Sequence, residues 1–268
     1  MSAKPLAAQR AIVTGASSGI GAAIAHAFAE AGAAVLINHH DDAKAAHALA
    51  EAIVEKGGRA VAAAGDVSQP KVAEHLFDVA CEHFGGVDIL VANAGLQKDG
   101  AFTQLTLEDW RAVIDLDLTG AFLCAQEAVR RFRRQGLDPK RSAALGKVLF
   151  VSSVHQAIPW AGHANYAAAK GGVKMLMETM AQELAREKIR VNAIAPGAIR
   201  TPINKAAWGT PAALRKLLKL IPYGRIGEVA DMAKAAVWLA SDEADYVVGT
   251  TLFIDGGMSL YPSFRDSG

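Results

Sequence analysis

Short β-branched runs alternate along the chain with longer alanine-rich stretches whose apolar residues recur every three to four positions, the patterns of buried strands and amphipathic helices. Residues 11–13 predict a first strand, followed by a glycine-rich turn and a helix carrying Ile20, Ile24 and Phe28 on one face. Strands are expected at 35–37 and 60–64, with helices at 42–56 and 72–84 that end at Gly57-Gly58 and Gly85-Gly86. A fourth strand at 87–91 precedes helices around 107–116 and 118–135, and a fifth strand lies at 148–151. A long helix over about 163–186, a sixth strand at 190–195, helices near 211–220 and 228–240, and a last strand at 251–254 complete the pattern. Regular alternation of strand and helix implies seven parallel strands joined by right-handed crossovers, with helices on both faces. No linker, repeat or low-complexity segment interrupts residues 1–268, so one doubly wound α/β domain is expected. Its binding crevice should open at the carboxyl ends of the strands, near the topological switch point.

Composition narrows the function classes. Hydrophobic residues are 51% and charged residues 21% of the 268, enough for a core and too apolar for disorder. Lys plus Arg number 28 against 27 for Asp plus Glu, and a net charge of +1 gives no field to attract nucleic acid or an anionic membrane. Two cysteines, Cys81 and Cys124, are too few for a disulfide framework or a thiolate metal site, and no metal centre is expected. The opening MSAKPLAAQR has no secretory core, and no run of 18 apolar residues suggests a membrane span. A cytoplasmic protein is the expectation.

The chemistry starts at Thr14-Gly15-Ala16-Ser17-Ser18-Gly19-Ile20-Gly21, between the first strand and first helix. Glycines let the chain approach a pyrophosphate closely, and the helix start offers free N–H groups and a partial positive charge. Following a strand and opening a helix, the turn predicts dinucleotide binding and a Rossmann fold. Asp66-Val67, after the third strand, and Asn93-Ala94-Gly95, after the fourth, would join the same crevice. A carboxylate after the second strand would favour NAD and an arginine NADP. The chain has Asn38-His39-His40-Asp41-Asp42 there. Neither determinant is clean, so NAD, NADP or both remain open.

Tyr166 and Lys170 stand four residues apart in the long helix, separated by three alanines. That spacing puts phenol and ammonium on one face, with Cβ atoms about 5–6 Å apart. A free phenol is a poor base at neutral pH, and a neighbouring ammonium favours its ionised form. Ser152-Ser153 ends the fifth strand, so a hydroxyl can face the same crevice. Together these groups can bind an alcohol, remove its proton and let hydride pass to a nicotinamide.

The glycine turn, Asn93-Ala94-Gly95, Ser153, Tyr166 with Lys170, and Pro196-Gly197 together resemble the short-chain dehydrogenase/reductase family, over almost the whole chain. The resemblance implies Tyr166 as general acid/base, Lys170 as its activator and ribose ligand, and Ser153 as the group orienting the reacting oxygen. It implies a cofactor site built from Gly15, Ser17, Ser18, Gly19, Ile20, Gly21, Asn38, His39, Asp66, Val67, Asn93, Gly95, Tyr166, Lys170, Pro196, Gly197, Ile199 and Thr201. One departure stands out: Asp117 occupies a position where the family has an asparagine that holds a water in the proton relay. A carboxylate can accept from that water and attract Lys170 but cannot donate, which implies an intact, differently tuned relay.

Ser152 to Trp160, Pro196 to Asn204 and Leu252 to Met258 with Tyr261 to Phe264 are more closely similar to bacterial glucose 1-dehydrogenases. That likeness implies a small-molecule substrate, a sugar, oxidised at its anomeric hydroxyl, with NAD or NADP and in a homotetramer. Subunit contacts are then expected on the helices of Tyr166 and Cys124 and at Tyr261 to Phe264. A sugar site needs hydrogen-bonding groups, and Ser153, His155, Gln97, Asn165 and Asn204 are the candidates. Trp160 either stacks on a sugar or packs. Residues 204–221, punctuated by Gly209 and Pro211 and carrying Leu214, Leu217, Leu218 and Ile221, resemble a substrate lid. Arg130-Arg131-Phe132-Arg133-Arg134 supports a competing reading, a 3-oxoacyl carrier-protein reductase docking an acidic carrier, against plain stabilisation of a helix C-terminus. A non-catalytic nucleotide-binding subunit is the third reading, opposed by the complete Ser153, Tyr166 and Lys170 set.

Overall fold

The seven strands form one parallel sheet in the order β3-β2-β1-β4-β5-β6-β7. They are β1 (Arg10–Val13), β2 (Ala34–His39), β3 (Arg59–Ala64), β4 (Ile89–Ala92), β5 (Gly146–Val151), β6 (Ile189–Pro196) and β7 (Thr251–Ile254). The computed structural model describes residues 4–260; the expected contact segment Tyr261 to Phe264 lies outside them.

Period-two alternation divides each central strand between two cores. Ala11 and Val13 of β1 and Ile89 and Val91 of β4 face a core shared with α1 (Gly19–Glu30), α2 (Ala43–Glu55) and α9 (Val229–Ala240). Ile12, Leu90 and Phe150 face the opposite core, shared with α3 (Pro70–Phe84), α5 (Ala121–Gln135) and α6 (Ala164–Leu184). With both faces covered, β5 and β6 are buried along their whole length, as a doubly covered parallel sheet requires.

The helices predicted around 107–116 and 118–135 run together. α4 (Leu107–Ile114) passes through a π-helical stretch, Asp115–Gly120, directly into α5. Such wide turns often mark functional sites, and this one carries Asp117. Beyond β6 come the short helices α7 (Lys205–Trp208) and α8 (Pro211–Leu218). Among the described residues no helix is long and apolar enough to cross a membrane, and no three His, Cys, Asp or Glu side chains gather as a metal site would require.

The strand order reverses between β1 and β4. A cavity of about 990 Å³ opens there, lined by the glycine turn, the carboxyl ends of β2 to β6 and the α7–α8 segment.

Candidate active site

The glycine turn is held by side chains of neighbouring strands. Asn38 Oδ1 accepts from the Gly15 N–H at 3.1 Å, and its amide donates to the Gly65 carbonyl at 3.0 Å. Asn93 donates to the Thr14 and Gly15 carbonyls at 2.8 and 3.0 Å. Thr14 Oγ1 accepts from the N–H groups of Asn93 and Ala94. Gly15 has φ +59°, and a Cβ there would lie 2.8 Å from the Ala94 Cα. A Cβ on Gly21 would clash with the Asn93 amide and the Gly15 carbonyl. These close approaches require glycine. Asn38 and Asn93 therefore line the cavity but spend their amides on shaping the turn.

Most predicted cofactor residues, from Gly15, Ser17, Ser18, Gly19 and Ile20 through Asp66, Val67 and Gly95 to Pro196, Gly197, Ile199 and Thr201, converge on this cavity. His39 does not. It follows Val35 and Ile37 onto the α2 face of β2, is buried, and lies edge-on to His47 at 5.9 Å. The residues that reach the cavity after β2 are His40, Asp41 and Asp42. Burial works to raise the Asp66 pKa, but hydrogen bonds from Ser68 and Gln69, with His40 nearby, leave it below the ordinary value.

At the cavity's other end, Ser153 stands two residues beyond β5 and its Oγ accepts from the His155 N–H at 3.2 Å. Tyr166 and Lys170 rise from the first turns of α6, with Lys170 Nζ 5.4 Å from the phenol ring centre. Lys170 is buried, donates to the Val151 carbonyl at 3.3 Å and lies 3.1 Å from Asp117 Oδ2. Asp117 Oδ1 accepts from the Leu96 N–H at 2.8 Å. Burial works against the Lys170 ammonium, but Asp117 and Tyr166 outweigh it and hold its pKa above the ordinary lysine value. Asp117 thus acts as a buried counter-ion.

The five predicted substrate contacts divide. Ser153, His155 and Gln97 line the cavity. Asn165 does not: it is fully buried, its amide donates to the carbonyls of Lys98 and Asp109, and its oxygen accepts from the Tyr166 N–H. Its work is to fix the start of α6. Asn204 reaches the cavity wall, yet its oxygen takes the Thr201 hydroxyl and the Trp208 indole N–H while its amide donates to the Ile199 carbonyl. The His155 ring meets the Ile158 carbonyl through Nδ1 at 3.2 Å, and burial is the main influence pushing its pKa down. Neutral imidazole with its proton on Nδ1 leaves Nε2 as an acceptor. Trp160 packs on His155 and His163, at centroid distances of 4.3 and 3.4 Å. Sequence reasoning missed the apolar wall provided by Leu96, Leu116, Leu220 and Met258, which no single segment announces.

The arginine run is partly matched, with three of its four arginines sharing Glu127. Arg131 pairs with Glu127 and Asp78, Arg133 with Glu187, and Arg130 and Arg134 with Glu127. Cys124 is buried, which pushes its thiol up to about 12; a protonated, enclosed thiol is inert.

Fold and cavity together define an oxidoreductase of the dinucleotide-binding, doubly wound type. Residues 15–259 match a family model described as enoyl-(acyl carrier protein) reductase. The chain is 47% identical over 254 residues to 3beta-hydroxysteroid dehydrogenase 1 of Eggerthella lenta, covering 95% of each chain. It is 44% identical over 261 residues to glucose 1-dehydrogenase 2 of Bacillus subtilis, covering 97% of this chain and 98% of that one. A gluconate 5-dehydrogenase from Burkholderia cenocepacia, solved with NADP and tartrate, superposes with a TM-score of 0.88 at 35% identity, covering 97% and 98% of the two chains. The chain belongs to the short-chain dehydrogenase/reductase family and is an NAD(P)-dependent oxidoreductase.

Proposed function

We propose that the chain oxidises the hydroxyl of a small hydroxylated substrate, an aldose at its anomeric carbon, and releases the lactone. The observation that carries this reading is the convergence of Ser153, His155, Gln97 and Tyr166 on the cavity that the glycine turn opens into. Ser153 Oγ holds the reacting oxygen, and Tyr166 takes its proton. Lys170, kept charged by Asp117, favours the phenolate that receives the proton. Bound NAD(P) supplies the hydride acceptor; Pro196, Gly197 and Thr201 would hold its nicotinamide end. His155 Nε2 and Gln97 are left to bind further hydroxyls. Residues 204–221 serve as the lid, with Leu217 and Leu220 facing the cavity and water excluded on closure. We infer a homotetramer with α5 and α6 in subunit contacts, a reading supported by Phe122 and Met175, 40% and 57% exposed on those helices.

A second reading has its own support. Leu96, Leu116, Trp160, Leu217, Leu220 and Met258 make much of the outer wall apolar, which suits a bulky hydroxylated ring system such as the relative in Eggerthella lenta is named for. Carrier-protein docking keeps a basic surface to use, since Arg130, Arg131 and Arg134 share the one carboxylate of Glu127 and Arg130 and Arg134 remain exposed.

The test follows absorbance of the reduced cofactor with D-glucose, with a 3β-hydroxysteroid and, in the reducing direction, with a 3-oxoacyl thioester, using Tyr166→Phe as control. Glucose-dependent reduction that the variant lacks supports the aldose reading. Turnover of the steroid alone replaces it with the second reading, and turnover of the thioester alone overturns both.

A further inference from the structure

The cavity's charged groups are unevenly placed. Among the described residues that line the cavity, the one lysine or arginine is Lys170, beneath Tyr166 and beside Asp117. At the opposite end, where β2 and β3 terminate, the lining carries Asp41, Asp42 and Asp66. His40 also lines this end, with its Nδ1 3.2 Å from Asp41 Oδ1, and Asp42 and Asp66 have no such neighbour among the described cavity-lining lysines and arginines. Lys44 stands in the first turn of α2 but does not line the cavity. The glycine turn contributes Ser17 and Ser18 where a basic side chain would face the same space.

In a doubly wound sheet that binds a dinucleotide at its switch point, the adenosine ribose lies against the end of the second strand. The two cofactors differ there by one group. NAD presents a 2′-hydroxyl, which can donate to a carboxylate. NADP presents a phosphomonoester, an acceptor-only group of nearly two negative charges at pH 7. Asn38 has its amide committed to Gly15 and Gly65 and cannot turn toward a phosphate without freeing the glycine turn, which leaves the hydroxyls of Ser17, Ser18 and Ser68 as neutral donors that carry no compensating charge.

We propose that this chain selects NAD over NADP, and that Asp41 and Asp42 are the residues that make the selection. They repel the 2′-phosphate, and no lysine or arginine among the cavity-lining residues at that end offsets them. The solved gluconate 5-dehydrogenase relative holds NADP, so the preference is a property of this chain's β2 exit and not of the shared fold. The proposal rests on the dinucleotide reading of the glycine turn but not on the substrate, and its test needs no turnover.

Titrate the purified protein, free of substrate, with NAD and with NADP, following tryptophan fluorescence or heat. NAD is expected to bind at least tenfold more tightly than NADP at low salt, and the gap to narrow between about 50 and 500 mM salt as the repulsion is screened. Asp41→Asn with Asp42→Asn should collapse the ratio severalfold, chiefly by tightening NADP. Asparagine at 42 keeps the N-cap that now accepts from the Ala45 N–H, and an unchanged melting temperature verifies the fold. His40→Arg added to that pair should bring NADP level with NAD or past it. Equal or tighter NADP binding by the unaltered protein overturns the proposal, as does a ratio that the double variant leaves in place. Binding of neither dinucleotide overturns the cofactor reading itself, whereas a failure of glucose or steroid turnover leaves this result untouched.

Discussion

Replacing Asp117 by asparagine removes one charge from a buried pair while preserving shape. Asp117 and Lys170 are both buried, 3.1 Å apart, and Lys170 keeps its proton because Asp117 and Tyr166 outweigh the burial that opposes it. Unit charges about 4 Å apart interact by roughly 4 kcal/mol at an effective dielectric of about 20, equivalent to about three units of lysine pKa. An asparagine oxygen still faces the ammonium and the Leu96 N–H, recovering part of this. The net expectation is that Lys170 in Asp117→Asn loses its proton at lower pH than in the unaltered protein, because burial then opposes the ammonium with less compensation. The alkaline limb of the kcat profile therefore moves to lower pH, while the rate near pH 7 is little changed.

Stability should report the same pair. Lys170 holds its proton more tightly folded than unfolded, above the ordinary 10.5. Its contribution is therefore complete below about pH 10.5 and lost as pH rises through the higher folded value. In Asp117→Leu the ammonium is buried with no counter-ion, which costs about 3–5 kcal/mol and shows as a large fall in melting temperature at pH 7. Asp117→Asn should fall between the two. The assays are kcat against pH from 6 to 10.5 and thermal denaturation across the same range. An Asp117→Asn enzyme with unaltered rate, profile and melting temperature would refute the counter-ion argument.

Tyr166→Phe should lower kcat by about 10²–10⁴-fold while leaving dinucleotide affinity within about threefold, separating proton transfer from binding by titration calorimetry. Gly15→Ala, forced to keep φ +59° against the Ala94 backbone, should weaken dinucleotide binding at least tenfold and lower the melting temperature. Lys147 is buried against Gln9, Ser142 and Asp242, and burial, despite Asp242, brings its pKa down from 10.5 to about 8. Between those values the unfolded chain binds the proton that the folded one has released, so stability should rise with pH, by on the order of 3 kcal/mol in all. Lys147→Met should remove that rise in denaturant titrations at pH 7.5 and 10, and a variant keeping the same slope would show that other groups set it.

Much of this arrangement is legible in the chain, and the misses have physical causes. The seven strands and their helices follow from apolar periodicity because a doubly covered parallel sheet makes its strands continuously apolar. Tyr166, Lys170 and Ser153 are readable because helical spacing and strand ends fix where they project. His39 stays out of the cavity because the alternation Val35, Ile37, His39 puts it on the inner face, whereas its position beside His40 suggests a shared exposed site. Asn165 likewise begins the buried stripe that continues through Ala169, Val173 and Met177. Asn204 and Asn93 reach the cavity as expected, but hydrogen bonds formed across turns consume their amides, and those bonds depend on loop geometry that no local pattern encodes. The same holds for the arginine run, whose shared partner Glu127 is one turn away while Asp78 and Glu187 arrive from α3 and the turn after α6.

The two ends of the sheet divide the work, and their buried charges show how. At the amino ends, Arg10 of β1 donates from Nε and Nη2 to Asp88 at 2.8 and 2.7 Å and from Nη1 to the Gly85 carbonyl. Arg190 of β6 donates to the carbonyls of Leu239 and Ser241 at the end of α9. These are long-range bonds within packed structure, and their net worth is small, because desolvation offsets attraction. What they fix is register: each guanidinium ties the start of a strand to the end of a helix on the sheet's flank, so a slipped strand would strand a buried charge. At the carboxyl ends the one comparable pair among the described residues is Lys170 with Asp117, and there the charge is presented to a cavity. A Lys170 that served packing alone would need no opening above it; one that served chemistry alone would need no Asp117 beneath. The residue does both, since the carboxylate that makes its burial tolerable also keeps its proton in place beside the Tyr166 ring.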